Sequence, residues 1–198
     1  EECEMNKYLI AKGIDVVETD LGERILQLMN LKPAHIVVPA AHITRDEVGE
    51  LFEKDGISKD IGNHDPTYLT QCARYSLRQE FIEADAGMTG CNFGVASTGD
   101  CVVCTNEGNA DMSTSIPKLH IVSMGIDKVI PNYDALAVFQ RLLARSATGQ
   151  PSVSFTSQFR KARPGAEMHV ILVDNGRSNI IADQLHWRTA KCIRCGAC

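Results

Sequence analysis

Glycine and small polar residues crowd one stretch of this chain, Gly87 to Asn109, with the sequence GMTGCNFGVASTGDCVVCTNEGN. Five of the fifteen glycines fall inside it, Gly87, Gly90, Gly94, Gly99 and Gly108. Glycine allows positive φ and close approach of backbone to a ligand. The stretch predicts two short strands over 88–97 and 101–106, joined by the turn Thr98-Gly99-Asp100. Asn106-Glu107-Gly108-Asn109 then leaves as a second turn. Two readings of the stretch stand side by side. One is a tightly packed glycine-rich hairpin, and turn chemistry accounts for most of its residues that way. The other is the floor of a site for a small anionic or carbonyl ligand, with Glu107 as acid or base and Thr98 and Asn109 as substrate-binding groups.

The flanking sequence supplies the layers. Residues 2–12 read as a helix stopped by Gly13, and Ile14–Glu18 as a short strand. Asp20 caps a helix through about Asn30, with Glu23 at the capping-box position. His35–Val38 reads as a buried strand. Thr44 and Glu47 form a second capping box that opens a helix to about Lys54. After the polar loop Gly56–His64, Asp65-Pro66 starts a helix to about Ala84, with Leu69, Cys72, Ala73, Leu77 and Phe81 on one face. Residues 110–117 read as a polar loop. Leu119–Met124 is a strand that Ile126–Ile130 extends past a glycine. Asn132 caps a helix to about Ala147, with Leu136, Phe139 and Leu143 on one stripe and Gly149 as its stop. Ser152–Phe159 and Met168–Val173 are strands, and residues 179–190 are helical. This alternation predicts an α/β fold, a layered sandwich with a mixed, largely parallel sheet.

With 198 residues and 44% hydrophobic content the chain builds a proper core. A net charge of −5 argues against a nucleic-acid partner or an anionic membrane surface. The sequence shows no run of apolar residues long enough to span a bilayer. Three of the eight cysteines stand in the last seven residues, and no regular framework joins the other five. That distribution suits a metal site in a reducing cytoplasm better than a secreted disulfide scaffold. Position 1 is not methionine and Cys198 falls inside a motif, so the expectation is a piece of a longer protein. Its organisation is expected to be one domain over 1–190 and the start of a metal-binding segment over 191–198.

That segment is the strongest local signal. Cys192, Cys195 and Cys198 stand in C-x2-C-x2-C spacing, the opening of the bacterial ferredoxin run, in which closely spaced thiolates wrap one face of a [4Fe–4S] cubane. Zinc is the rival metal, although zinc sites usually pair two distant C-x2-C units. The fragment lacks the remaining ligands. Cys101 and Cys104 repeat the C-x-x-C spacing inside a strand, where alternate side chains point to opposite faces, so packing is the expected role. Arg177 lies in Asp174–Ser178, just past a strand end, where open α/β sheets bind ligands, and its guanidinium suits a carboxylate. A tight Asn-Gly turn with a solvated arginine accounts for the same residues. The six histidines share no metal spacing. Arg160, Lys161 and Arg163 read as a solvated loop.

Several blocks together resemble a known family: VVETDLGE (16–23), HIVVPAAHITRDEV (35–48), GMTGCNFGVASTGD (87–100), TNEGNADMSTSIPKLHIVSMGIDKVIP (105–131), RLLARSATGQ (141–150), VDNGRS (173–178) and CIRCGAC (192–198). The chain resembles the LUD-domain iron–sulfur subunit of bacterial lactate utilisation, the lactate utilisation protein B family. The resemblance implies an α/β sandwich like that of the sugar-phosphate isomerase and CoA-transferase group. It also implies two [4Fe–4S] clusters in the full-length protein and partner subunits in the oxidation of L-lactate to pyruvate. Aliphatic residues usually stand in that family where this chain has Cys101 and Cys104, which again points to packing. The resemblance assigns no catalytic residue. Three functions stand: an electron-transfer subunit, a catalytic LUD domain in which Glu107 acts as base or nucleophile, and a domain that serves as a scaffold only.

Overall fold

The computed structural model describes residues 5–35 and 38–192, and the chain divides into two units, 1–80 and 81–198. The first unit is helical. α1 (Met5–Ala11) stops at Gly13, whose φ of +80° is a left-handed conformation that glycine adopts without strain. α2 (Leu21–Met29) is capped by Asp20, whose carboxylate accepts the Glu23 N–H. The strand expected over Ile14–Glu18 does not form. Gln27 of α2 meets its backbone instead: Nε2 donates to Val16 O at 2.7 Å and Oε1 accepts from Glu18 N at 3.1 Å. A side chain thus supplies the bonds that a neighbouring strand would have made.

His35 and Val38 lie outside any strand, and residues 36 and 37 of that expected element lie outside the described residues. α3 (Arg45–Lys54) carries the full capping box, with Thr44 and Glu47 exchanging hydrogen bonds. α4 (Pro66–Glu83) starts where Asp65 accepts the Tyr68 N–H at 3.0 Å. Its Leu69, Ala73, Leu77 and Phe81 are buried, as the helical spacing requires. Ile25, Leu51, Phe52, Leu69 and Ala73 form the core of the first unit. His64 lies over Gly49, with Nδ1 3.2 Å from Asp46 and Nε2 3.3 Å from Glu53.

The second unit holds all seven described strands in two sheets. β1 (Ala86–Thr89), β4 (Leu119–Gly125) and β7 (Glu167–Val173) form a wholly parallel sheet in the order β1-β4-β7. The other sheet has the order β5-β2-β3-β6, from β5 (Val129–Ile130), β2 (Phe93–Val95), β3 (Asp100–Thr105) and β6 (Phe155–Phe159). There β2 and β3 form the antiparallel hairpin expected around Gly99, β6 adds antiparallel to β3, and β5 adds parallel to β2. The fold is therefore α/β, with one parallel and one mixed sheet.

The single strand expected over 88–97 is two strands, one in each sheet, with Gly90 to Asn92 as the crossing between them. Ile126–Ile130 likewise does not extend β4. A 3-10 turn at Ile126–Lys128 carries the chain over to β5.

β4 alternates buried and half-buried side chains, with His120, Val122 and Met124 buried. That face looks toward the second sheet: the His120 ring meets Phe159 of β6 edge to face at 4.8 Å between centroids. A Cβ on Gly94 of β2 would come within 2.7 Å of the Met124 methyl. The other side of the second sheet packs on α6 (Tyr133–Thr148), through Phe93, Val95, Val102, Ile130, Leu136 and Leu143. Burying each such side chain stabilises by about 1.5–3 kcal/mol. Asn132 caps α6 and Gly149 ends it, both as expected.

The loop expected over 110–117 is mostly helix, α5 (Asn109–Ser115). Its polar residues misled because their hydroxyls turn back on the helix itself. Thr114 Oγ1 and Ser115 Oγ both donate to Asp111 O, at 3.0 and 2.5 Å. Gly87 of β1 admits this helix, since a Cβ there would stand 1.8 Å from the Ser113 carbonyl oxygen. Residues 179–190 are two pieces, α7 (Arg177–Ala182) and a 3-10 turn at Trp187–Lys191, with Asp183 between them, whose carboxylate accepts the Leu185 N–H at 2.8 Å.

Candidate functional site

The parallel sheet sends the C-terminal ends of β1, β4 and β7 to one edge, the usual location of ligand sites in open α/β sheets. Two loops leave that edge with charged groups. Asp127 follows β4 and Arg177 opens α7 after β7. Arg177 Nε lies 2.5 Å from Asp127 Oδ1, and both side chains are mostly buried, 13% and 7% exposed. Among the described residues no hydrogen bond reaches that oxygen, so the pair is a Coulombic one. Gly125 makes the pair possible, because a Cβ there would meet Asp127 Oδ1 at 2.4 Å and Arg177 Nε at 3.2 Å. A buried ion pair that loses one member leaves an uncompensated charge, so the two residues stand or fall together.

Around Arg177 the expected Asn-Gly turn is present. Asn175 and Gly176 have φ of 45° and 79°. Asp174 accepts from Ser178 N at 2.7 Å and Ser178 Oγ at 2.5 Å, and these bonds hold its carboxyl below the ordinary aspartate value. Arg177 is thus a paired residue in a structured turn, not a solvated one.

Glu107 and Asn109 lie between β3 and α5. Thr105 Oγ1 donates to Glu107 O at 2.7 Å, and Asn109 Oδ1 accepts from Ala110 N at 3.0 Å. Asn106 Oδ1 accepts from Ser154 N at 3.4 Å and so ties the loop to the segment before β6. Thr98 is not brought to these residues. It sits in the turn before β3 whereas Glu107 follows β3, and six strand residues span about 20 Å.

Thr98 belongs to a cluster that sequence reasoning missed. Its Oγ1 donates to Asp100 Oδ2 at 2.6 Å, Tyr133 Oη donates to the same carboxylate, and Arg160 grips it in two-pronged fashion at 2.8 and 2.9 Å. Asp100 is buried, and Arg160, then Thr98 and Tyr133, hold its carboxyl far below the usual carboxylate range. The cluster ties the hairpin turn, the end of β6 and the start of α6 together. Its sequence signal was a lone Asp in a turn and a basic loop sixty residues later, with no spacing to join them.

The strand cysteines pack as expected. Cys101 is buried, and Cys104 lies against the Phe93 core on the opposite face of β3. The Cys91 thiol donates to Phe93 O at 3.1 Å, and the neighbouring Cys101 thiol and burial push its pKa up. Burial does the same to Cys104. A thiol held protonated is a poor nucleophile and a poor metal ligand.

Among the described residues no group of three or more His, Cys, Asp or Glu side chains converges as a metal site. Of the terminal triplet, Cys192 is described and exposed, directly after the 3-10 turn, while Cys195 and Cys198 lie outside the described residues. Trp187 of that turn carries the Lys191 ammonium 4.6 Å and the Arg188 guanidinium 5.6 Å from its ring centroid. No helix among the described residues is long and apolar enough to cross a membrane.

Comparison with known proteins gives a consistent picture. The family model for the LUD domain matches residues 2–175. A protein of Bacillus pumilus described as Lactate utilization protein B is 45% identical over 205 residues, covering all of this chain and 42% of that protein. Its counterpart in Shouchella clausii is 42% identical over 206 residues, again covering all of this chain and 42% of the relative. The chain thus spans about two fifths of the length of these relatives. A crystal structure of a DUF162 family protein from Deinococcus radiodurans overlaps 48% of this chain and 57% of its own, with 20% identity and a TM-score of 0.33.

Proposed function

The chain belongs to the LUD-domain family, and from that membership we propose that it is the LUD portion of an iron–sulfur subunit serving the oxidation of L-lactate to pyruvate. The observation that carries the proposal is the whole-chain match, at 45% identity, to a protein described as Lactate utilization protein B, with the C-x2-C-x2-C run at residues 192–198.

The residues present suit such a cofactor. Cys192 offers an exposed thiol at the surface of the second unit, and thiolates are the ordinary ligands of iron–sulfur centres. In this reading Cys192, Cys195 and Cys198 supply three ligands of a [4Fe–4S] cluster in the full-length protein. When bound, the cluster takes up and passes on single electrons, so two transfers serve each lactate. Arg188 and Lys191, both held over the Trp187 ring, place positive charge just ahead of Cys192 in the chain, which favours the added negative charge of a reduced centre. The LUD fold then positions the triplet and docks the other subunits of the lactate-oxidation system.

One observation favours a second reading, a catalytic LUD domain. The buried Asp127–Arg177 pair lies at the strand-end edge where such folds bind ligands. There Arg177 and Asn109 would hold a small carboxylate and Glu107 would act as base. Substitution Glu107→Gln separates the two: lactate oxidation at the normal rate in the reconstituted system removes the catalytic reading.

The test of the first reading is metal analysis of the full-length protein purified without oxygen. Iron and acid-labile sulfide in equal amounts are expected, with iron reduced in the Cys195→Ser variant. Zinc in place of iron would overturn the proposal.

A further inference from the structure

A cavity of about 190 Å³ opens in the second unit at the N-terminal end of the parallel sheet. It lies away from the strand-end residues, because β4 alone separates its two ends by about 20 Å. At the liquid share of about 30 Å³ per water, it holds roughly six waters, the space of a molecule with a handful of heavy atoms. Its wall is divided by chemistry. Phe159 and Met168 are its large apolar members. Lys161 and Arg163 bring two cations from the loop after β6, and Glu167 brings one carboxylate from the start of β7. The balance is an excess of one positive charge.

The donors around this cavity are not spent on the protein. Arg163 commits only Nη2, which donates to Ile116 O at 2.6 Å and Pro117 O at 3.2 Å. Its Nε and Nη1, and the Lys161 ammonium, have no partner among the described residues. His120 is 5% exposed, and its Nε2 meets Thr89 Oγ1 at 2.9 Å. Nδ1 has no hydrogen-bond partner among the described residues and is not a buried orphan, so it keeps access to solvent. Burial lowers the His120 pKa, so the ring is neutral and one nitrogen carries the proton. In the tautomer in which Thr89 donates to Nε2, that proton is on Nδ1 and is offered to the cavity. The hydroxyls of Thr114 and Ser115 donate to Asp111 O and so present only acceptor lone pairs.

We propose that this cavity binds a short-chain monocarboxylate, with its carboxylate between Lys161, Arg163 and His120 and its aliphatic part against Phe159 and Met168. A single negative charge matches the excess of one positive charge. A phosphate dianion would leave the Glu167 side uncompensated and the apolar wall uncovered. The inference stands on this cavity alone and is independent of the electron-transfer reading.

Histidine ring nitrogen NMR of this chain tests it, in titrations with sodium acetate, propionate and butyrate at fixed ionic strength. Sodium phosphate and sodium chloride serve as the competing anions. The His120 ring signals are expected to shift saturably with carboxylate, with affinity rising about fourfold per added CH2. Lys161→Glu, an exposed substitution that removes no hydrogen bond from the fold, is expected to weaken binding at least about tenfold with the amide spectrum otherwise preserved. Absence of saturation, equal response to phosphate or chloride, no gain along the carboxylate series, or wild-type affinity in Lys161→Glu would each overturn the proposal.

Discussion

Gly87→Ala tests how the glycine-rich stretch builds the second unit. The added Cβ would stand 1.8 Å from the Ser113 carbonyl oxygen and 2.8 Å from its carbonyl carbon, where ordinary contact begins at 3.4 Å. No side-chain rotation relieves this, because the obstacle is backbone. α5 must move off β1 by about 1.6 Å, or β1 must leave its register with β4. Overpacking that shifts backbone costs about 3 kcal/mol or more, the upper end of the range for inserted methyl groups. Two neighbours calibrate the effect. A Cβ on Gly94 meets the Met124 methyl and sulfur at 2.7 and 2.8 Å, and that flexible tip can swing, so Gly94→Ala is expected to cost about 1 kcal/mol. A Cβ on Gly90 meets nothing within 4 Å, so Gly90→Ala is expected to be neutral or to stabilise by up to about 1 kcal/mol through the unfolded chain. Urea unfolding followed by circular dichroism, with hydrogen exchange at β4, reads the series. At an m-value of about 2 kcal/mol/M, Gly87→Ala moves the midpoint down by about 1.5 M. Equal midpoints for Gly87→Ala and Gly90→Ala would refute the close approach of α5 to β1.

Thr44→Ala removes the capping box of α3 and is expected to destabilise the first unit by about 1 kcal/mol, read by urea denaturation. His64 and His120 should titrate on opposite sides of the ordinary value of 6.5 in proton NMR. His64 is raised, first by its bond to Asp46, so its contribution is complete below that value and is lost as pH rises through its folded pKa. His120 is lowered by burial, so its contribution is complete above 6.5 and is lost as pH falls toward its folded pKa. The Asp100 carboxyl is held below its ordinary value of 3.8, chiefly by Arg160, so the stability it brings is complete above that pH and is lost as pH falls further. Asp100→Asn should therefore flatten the acid side of the stability curve, measured by thermal unfolding from about pH 5 downward.

Capped helices were the most legible part of the sequence. Asp20, Thr44, Asp65 and Asn132 each cap where the local pattern places them, because a cap is a short-range bond between a side chain and a backbone N–H three residues on. Strand membership was less legible. Met88 and Phe93 read as one strand, yet they join different sheets, and only tertiary pairing decides that. α5 was hidden because Ser113, Thr114 and Ser115 are loop residues by composition, and the helix depends on the space over Gly87. Of the candidate site, Arg177 was found from its place after a strand, but its partner Asp127 was not, since fifty residues separate them in the chain. Thr98 was joined to Glu107 by nearness in sequence, and a strand as straight as β3 carries such neighbours apart.

The central claim is that electrons from lactate reach the cysteine triplet. The most direct measurement is electron paramagnetic resonance of the full-length protein mixed anaerobically with its partner subunits and L-lactate, then frozen. A reduced-cubane signal that grows with added lactate, and is absent from an assembled Cys195→Ser complex, is the predicted result. Pyruvate formed at an undiminished rate by that variant complex would contradict the account.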